Sequence, residues 1–176
     1  MNHDSYDDDT IRGILNSVKT VAIVGASNNP VRPSYFVLKY LAAKGYRVFA
    51  INPGIAGQEI AGVPVFAKLS EVPEPIDMVD IFRNSEAAFA ITEEAIAIGA
   101  KVVWMQLTVR NDEAAALAEA AGLKVVMNRC PKIEYGRLSG EIAWAGVATG
   151  SISNSRGQMG AKGAQNLVIG KPGGRG

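Results

Sequence analysis

Thr20-Val21-Ala22-Ile23-Val24-Gly25-Ala26-Ser27-Asn28-Asn29-Pro30-Val31-Arg32-Pro33-Ser34 is the stretch whose reading decides the fold. An apolar run reaches one glycine. Ser34 is then read as the cap of a helix whose Val37, Leu38 and Leu41 form one apolar stripe, closed by Gly45. A strand, a glycine turn and a helix start put unpaired N–H groups and the positive end of a helix dipole at one corner, and an anion suits that corner. Gly25 permits the tight turn. The dinucleotide fingerprint G-x-G-x-x-G is incomplete, because Ser27 stands at its second glycine position and Pro30 at its third.

Outward from this unit the pattern repeats. Ile11, Ile14, Leu15 and Val18 recur at helical spacing after Asp8, Asp9 and Thr10, which predicts a capped lead-in helix. Arg47 to Asn52 reads as a second strand stopped by Pro53-Gly54, and Gly57 to Phe66 as a turn-rich excursion carrying little core. Further strands are expected at Met78 to Arg83, Lys101 to Gln106 and Lys124 to Asn128, with helices from about Glu86 to Ile98 and from Asn111-Asp112 to Gly122. Short, nearly continuous apolar strands alternating with helices predict an α/β, Rossmann-like fold: a five-stranded, mainly parallel sheet with helices on both faces. Right-handed crossovers then bring Gly25, Asn52, Phe82, Gln106 and Asn128 to one crevice edge.

Composition narrows the chemistry. With 176 residues and 48% hydrophobic content, one domain with a sizeable core is expected. The formal net charge of +1 gives no overall bias toward nucleic acid or anionic lipid. The acidic start, Met1 to Asp9, is unlike a basic secretory leader, and no apolar run is long enough to span a bilayer, so a cytoplasmic protein is expected. One cysteine, Cys130, excludes an internal disulfide, and one histidine, His3, falls in a terminus read as loose. No zinc cluster can form from these, and a Ser-His-Asp or Cys-His arrangement would have to recruit His3. Acidic residues such as Glu93, Glu94, Asp112 and Glu113 read as helix starts and solvent faces.

At the crevice edge, Asn52 stands where NAD-binding units place an acidic residue for the ribose hydroxyls. Its neutral amide suits a phosphorylated ribose or another nucleotide pose, or simply ends the strand in a turn. Arg32 lies between two prolines that lack N–H groups and can supply charge to the loop. Ser27 can donate to a phosphate or complete a turn. Arg83, Arg129 and Lys132 follow strand ends and together would match several phosphates. Trp104 reads as core and Gln106 as a polar rim residue. Cys130, between Arg129 and Pro131, reads either as a small buried hydrophobe or as a thiol made reactive by nearby charge.

Together these residues resemble the CoA-binding domain family, the stand-alone relatives of the N-terminal domain of the succinyl-CoA synthetase alpha subunit. The likeness spans about Ile11 to Gly150. It is carried by Val24-Gly25-Ala26-Ser27 with Asn29-Pro30 and Arg32, by Gly45-Tyr46-Arg47-Val48 leading to Asn52-Pro53, and by Gly57-Gln58-Glu59-Ile60-Ala61-Gly62. It continues in Asp80-Ile81-Phe82-Arg83, in Ile98-Gly99-Ala100-Lys101 to Trp104-Met105-Gln106, and in Asn128-Arg129-Cys130-Pro131-Lys132-Ile133-Glu134. The chain departs from the family pattern at Asn128, where relatives often have Asp, and at Thr108, where glycine is common.

The resemblance implies a coenzyme A or acyl-CoA binding protein, with the first loop near the phosphates and the second and third strand ends near the adenosine part. The implied contacts are Gly25, Ala26, Ser27, Arg32, Ser34, Asn52, Pro53, Phe82, Arg83, Gln106 and Lys132. No catalytic residue and no metal ligand is carried over, because the phosphorylated histidine of the synthetases belongs to a second domain that does not match this chain. The alternative reading is an NAD(P)-binding oxidoreductase or redox sensor. A third is a subunit that forms a homodimer or joins a catalytic partner protein through Trp144 and the tail. Residues 1–150 are thus expected to form the CoA-binding domain, and residues 151–176 a flexible, Gly-rich, weakly basic tail. That tail lacks interleaved aromatics and is read as solvated rather than as a nucleic-acid arm.

Overall fold

The computed structural model describes residues 1–141; the apolar stretch around Trp144 and the 151–176 tail lie outside the described residues. The lead-in helix α1 (Asp8–Ser17) starts one turn-forming residue earlier than expected, with the Asp7 carboxylate accepting from Thr10 N at 2.7 Å. It is followed by β1 (Thr20–Val24), α2 (Pro33–Ala43), β2 (Arg47–Ile51), β3 (Glu59–Ile60), β4 (Val63–Phe66) and β5 (Met78–Ile81). The chain continues through α3 (Ser85–Ala97), β6 (Val102–Met105), α4 (Asp112–Ala120), β7 (Lys124–Val126) and α5 (Pro131–Ser139).

The strands form one sheet in the order β3-β4-β2-β1-β5-β6-β7. All its pairs are parallel except β3 with β4. The parallel part has the doubly wound Rossmann order, and the direction of winding reverses between β1 and β5. Burial on both faces explains why β6 reads as an unbroken apolar run and why β5 is apolar but for the buried Asp80. One face carries α1, α2 and α5 over Ile23, Met78 and Trp104; the other carries α3 and α4 over Ala22, Val79 and Val103.

Three expectations are corrected. The excursion at Gly57 to Phe66 is not free of core: it is the β3-β4 hairpin, and Ile60, Val63 and Val65 are buried in the α2 side of the core. Its β4 pairs parallel with β2 through Ala50↔Val65, adding a sixth parallel strand to the expected five. The N-terminus is not loose. The Tyr6 hydroxyl accepts from Met127 N at 2.8 Å, His3 Nδ1 lies 2.8 Å from the same hydroxyl, and Arg110 pairs with Asp4 at 2.7 Å, so the arm seals the β7 edge. Ser34 is not the cap of α2. The helix begins at Pro33 with Arg32 in the cap position, and Ser34 Oγ instead accepts from Ser27 N at 3.1 Å.

The hairpin correction is measurable. Ile60→Ala is expected to cost about 2–4 kcal/mol in urea unfolding, as for a packed core side chain, where an uncored turn would lose under about 0.5 kcal/mol.

Candidate functional site

The reversal between β1 and β5 opens a cleft at the carboxyl ends of the strands, where open α/β sheets bind ligands. Gly25 occupies its base with φ +86°, a region costly for a residue with a Cβ. A Cβ there would also meet Arg83 Cδ at 3.0 Å and the Phe82 carbonyl carbon at 3.3 Å. The glycine therefore both makes the turn and lets the Arg83 stem cross it. Ser27, Asn29, Val31 and Arg32 direct their backbone N–H groups to acceptors within the loop or at Ser34. Those of Ala26 and Asn28 find no protein acceptor.

Asn52 has a different use from a ribose clamp. Its Nδ2 donates to Ala26 O at 2.8 Å and its Oδ1 accepts from Gly54 N at 2.8 Å, so the amide braces the glycine loop against the turn that begins at Pro53. No carboxylate takes the position at the end of β2.

Beside this loop lies a cavity of about 480 Å³ between the starts of α2 and α5 and the ends of β5 and β6. Phe82, Arg83, Gln106 and Lys132 line it, together with Val31, Pro33, Phe36, Leu107, Thr108, Cys130 and Ile133. Four of the five exposed large apolar side chains among the described residues, Val31, Phe36, Leu107 and Ile133, belong to its rim. The helices α2 and α5 both begin with proline and both lack a side-chain cap, whereas Asp7, Asn84 and Asn111 cap the other helices. At α5 the amides of Lys132 and Ile133 lie against the Cys130 thiol and Glu134 N donates to Cys130 O, while at α2 Tyr35 N donates to Arg32 O.

The cations do not all converge. Arg83 and Lys132 line the cavity, the Lys132 ammonium lying 5.8 Å from the ring centres of Phe36 and Tyr40. Arg32 is exposed at the α2 cap and lies between two lining residues without forming part of the wall. Arg129 leaves the cleft: it stacks on Tyr6 at 5.5 Å and donates to Asn128 O.

Sequence reasoning missed three features here. The helix α5 was not anticipated, although Pro131 at its start with Tyr135 and Leu138 on its buried side was the available signal. Thr108 has φ +70° and Asn128 φ +54°, and the Asn128 side chain accepts from Thr108 N at 2.8 Å, locking two left-handed residues together at the rim. The left-handed backbone at Thr108 is one that glycine adopts without strain. The third is Asp80, fully buried on β5, whose two oxygens each accept from Gln106 Nε2 at 3.0 Å. Burial pushes its carboxyl up to about 8 although the Gln106 bond pulls it down. Burial also raises the Cys130 thiol, against the amides of Ile133 and Lys132 that would lower it, which favours the small buried hydrophobe over the reactive thiol.

These features define an α/β protein of the doubly wound Rossmann type with its cleft at the switch point. The chain belongs to the family described as CoA binding domain, which it matches over residues 19–136. It is 36% identical over 125 residues to the uncharacterized protein YneT of Bacillus subtilis (strain 168), covering 71% of this chain and 91% of YneT. A hypothetical protein from Pyrococcus horikoshii OT3 superposes with a TM-score of 0.72 at 38% identity, covering 77% of this chain and 94% of that one. The cell-free ID.343 structure from Thermus thermophilus gives a TM-score of 0.70 at 36% identity, covering 73% and 96%. No helix among the described residues is long and apolar enough to cross a membrane, and none of their His, Cys, Asp and Glu side chains cluster as a metal site would need.

Two outcomes follow from this geometry. Thr108→Gly relieves a left-handed β-branched residue and is expected to stabilise the protein by about 1 kcal/mol in urea unfolding. Asp80 binds its proton more tightly in the fold than in the unfolded chain. Stability therefore falls as pH rises from the ordinary carboxylate range and levels off above about 8. Relative to Asp80→Asn, which has no proton to lose there, the unaltered protein should lose about 1.4 kcal/mol per pH unit across that window. Parallel curves would show that Asp80 ionises normally.

Proposed function

We propose that this protein is a cytoplasmic coenzyme A or acyl-CoA binding protein. Membership of the CoA binding domain family supports the ligand class. The observation that carries the reading is the joint arrangement of the Gly25 turn, the Arg83 stem across it and the uncapped starts of α2 and α5 beside Lys132. Backbone donors, two helix dipoles and two cations around one cleft match a ligand with several phosphates.

In this reading the diphosphate lies over Gly25, Ala26 and Ser27, with Arg83 across the turn and Arg32 approaching from the α2 cap. Ser34 and Asn52 contribute by shaping the loop, since their polar atoms hold Ser27 N and Ala26 O. The adenosine part lies toward Pro53 and Phe82, where no carboxylate is present to select NAD by its ribose hydroxyls. Lys132 and Gln106 serve the cavity side.

Calorimetric titration with CoA, dephospho-CoA, NAD and NADP tests this. CoA should bind best, with affinity falling about tenfold or more when the ribose phosphate is removed, as for a lost charge-assisted contact. Preference for a nicotinamide nucleotide would overturn the reading in favour of an oxidoreductase or redox sensor. Silence toward all four would favour a subunit that works through a protein partner.

A further inference from the structure

Gln106 is 5% exposed and Asp80 is sealed from solvent, yet the two sit under the floor of an open cavity. The bonding of Gln106 is nearly complete. Its backbone N–H donates to Ile81 O at 3.2 Å, its backbone carbonyl accepts from Val109 N at 2.9 Å, and Nε2 is held by both Asp80 oxygens. Only Oε1 has no protein partner. Nor is it walled off, since the sealed and unpaired side-chain atoms among the described residues are those of His3 and Arg12 alone. Oε1 is therefore a largely desolvated acceptor open toward the cavity, whose lining includes the apolar side chains of Phe36, Leu107 and Ile133. An acceptor in such surroundings gains more from a ligand donor than a solvated one would, because it exchanges little water for the bond.

We propose that Asp80 is a positioning residue that holds the Gln106 amide with its nitrogen turned inward, so that the cavity selects a ligand segment carrying an N–H donor. This rests on the CoA reading above, and in CoA the segment is the pantetheine arm, whose two secondary amides supply such donors. The ionised Asp80 only accepts and fixes the inward turn, whereas the protonated acid can also donate and admits either turn. The rest of the arm then lies along the apolar rim, with the thiol or acyl end toward Leu107 and Ile133. Gln106 is in this scheme the group that touches the ligand, and Asp80 acts only through it.

The test is a double-mutant cycle read by calorimetry with CoA and with ADP, which has the diphosphate but no pantetheine arm. Gln106→Leu should weaken CoA about tenfold, as for a buried donor left unpaired. With Asp80 ionised, above about pH 8, Asp80→Asn should weaken it about threefold, because the carboxylate only accepts and fixes the Gln106 amide, whereas a partner that is donor and acceptor at once tolerates either orientation. The double variant should bind CoA no worse than Gln106→Leu alone, and ADP affinity should be the same throughout. If Gln106→Leu fails to fold, Gln106→Met removes the same acceptor. Additive losses, equal losses for CoA and ADP, or unchanged CoA affinity in Gln106→Leu would each overturn the proposal. Should the unaltered protein bind neither CoA nor ADP, it is the CoA reading that fails, and the assignment of the amide falls with it.

Discussion

Two backbone hydrogen bonds fix the glycine turn in space. Gly25 N donates to Ile51 O at 3.0 Å on one side, and Phe82 N donates to Val24 O at 2.9 Å on the other. The end of β1 is thus clamped between β2 and β5, and the chain can leave the sheet only upward, through a residue free to take φ +86°. Because β5 is the strand on the far side of the winding reversal, the same clamp carries Phe82 and Arg83 to the glycine. The Arg83 stem can then lie where any Cβ would stand. The loop, the cation and the cleft follow from one register.

Around that clamp the polar groups divide their tasks. Asn52 and Ser34 look like ligand residues in the sequence, yet they hold the loop from below and from the side, each bonded to a backbone group of the residues that face the cleft. Such bracing fixes Ala26 and Ser27 in the folded protein itself. Asp80 and Gln106 do the same on the other wall. A carboxyl raised to about 8 is a poor counter-ion for Lys132 at neutral pH, so the cavity keeps its positive character despite an acid beneath it.

How far the sequence could be read depends on the range of the interactions. The strands at Val21–Val24, Val79–Ile81 and Val102–Met105 are legible because burial on both faces selects apolar residues at every position but Asp80. The β3-β4 hairpin was hidden by Gly57, Gly62 and Pro64. They read as turn signals, and only Val65 pairing with Ala50 makes the segment part of the sheet. The helix α5 was hidden by its nine-residue length and by Gly136, and its core contacts through Tyr135 and Leu138 are tertiary. The N-terminal arm reads as loose because it is a terminus, but Tyr6 finds Met127 from the opposite end of the described chain. No local pattern encodes a contact at that separation.

The sequence by itself determined the α/β class, the glycine turn at the end of β1, and the absence of an acidic clamp at the end of β2. Each is written in nearest-neighbour chemistry: apolar runs, a glycine at a strand end, an amide where a carboxylate could be. Tertiary structure alone decided which polar groups face the cleft and which hold it up. The orientation of a side chain at a strand end depends on the register of its neighbours: Asp80 opposite Trp104 places Gln106 two residues on, over the same face. It also decided that Arg83 and Lys132 converge while Arg129 turns to Tyr6. The position of a long cationic side chain is set by the ring or carbonyl it meets, which may lie anywhere in the chain.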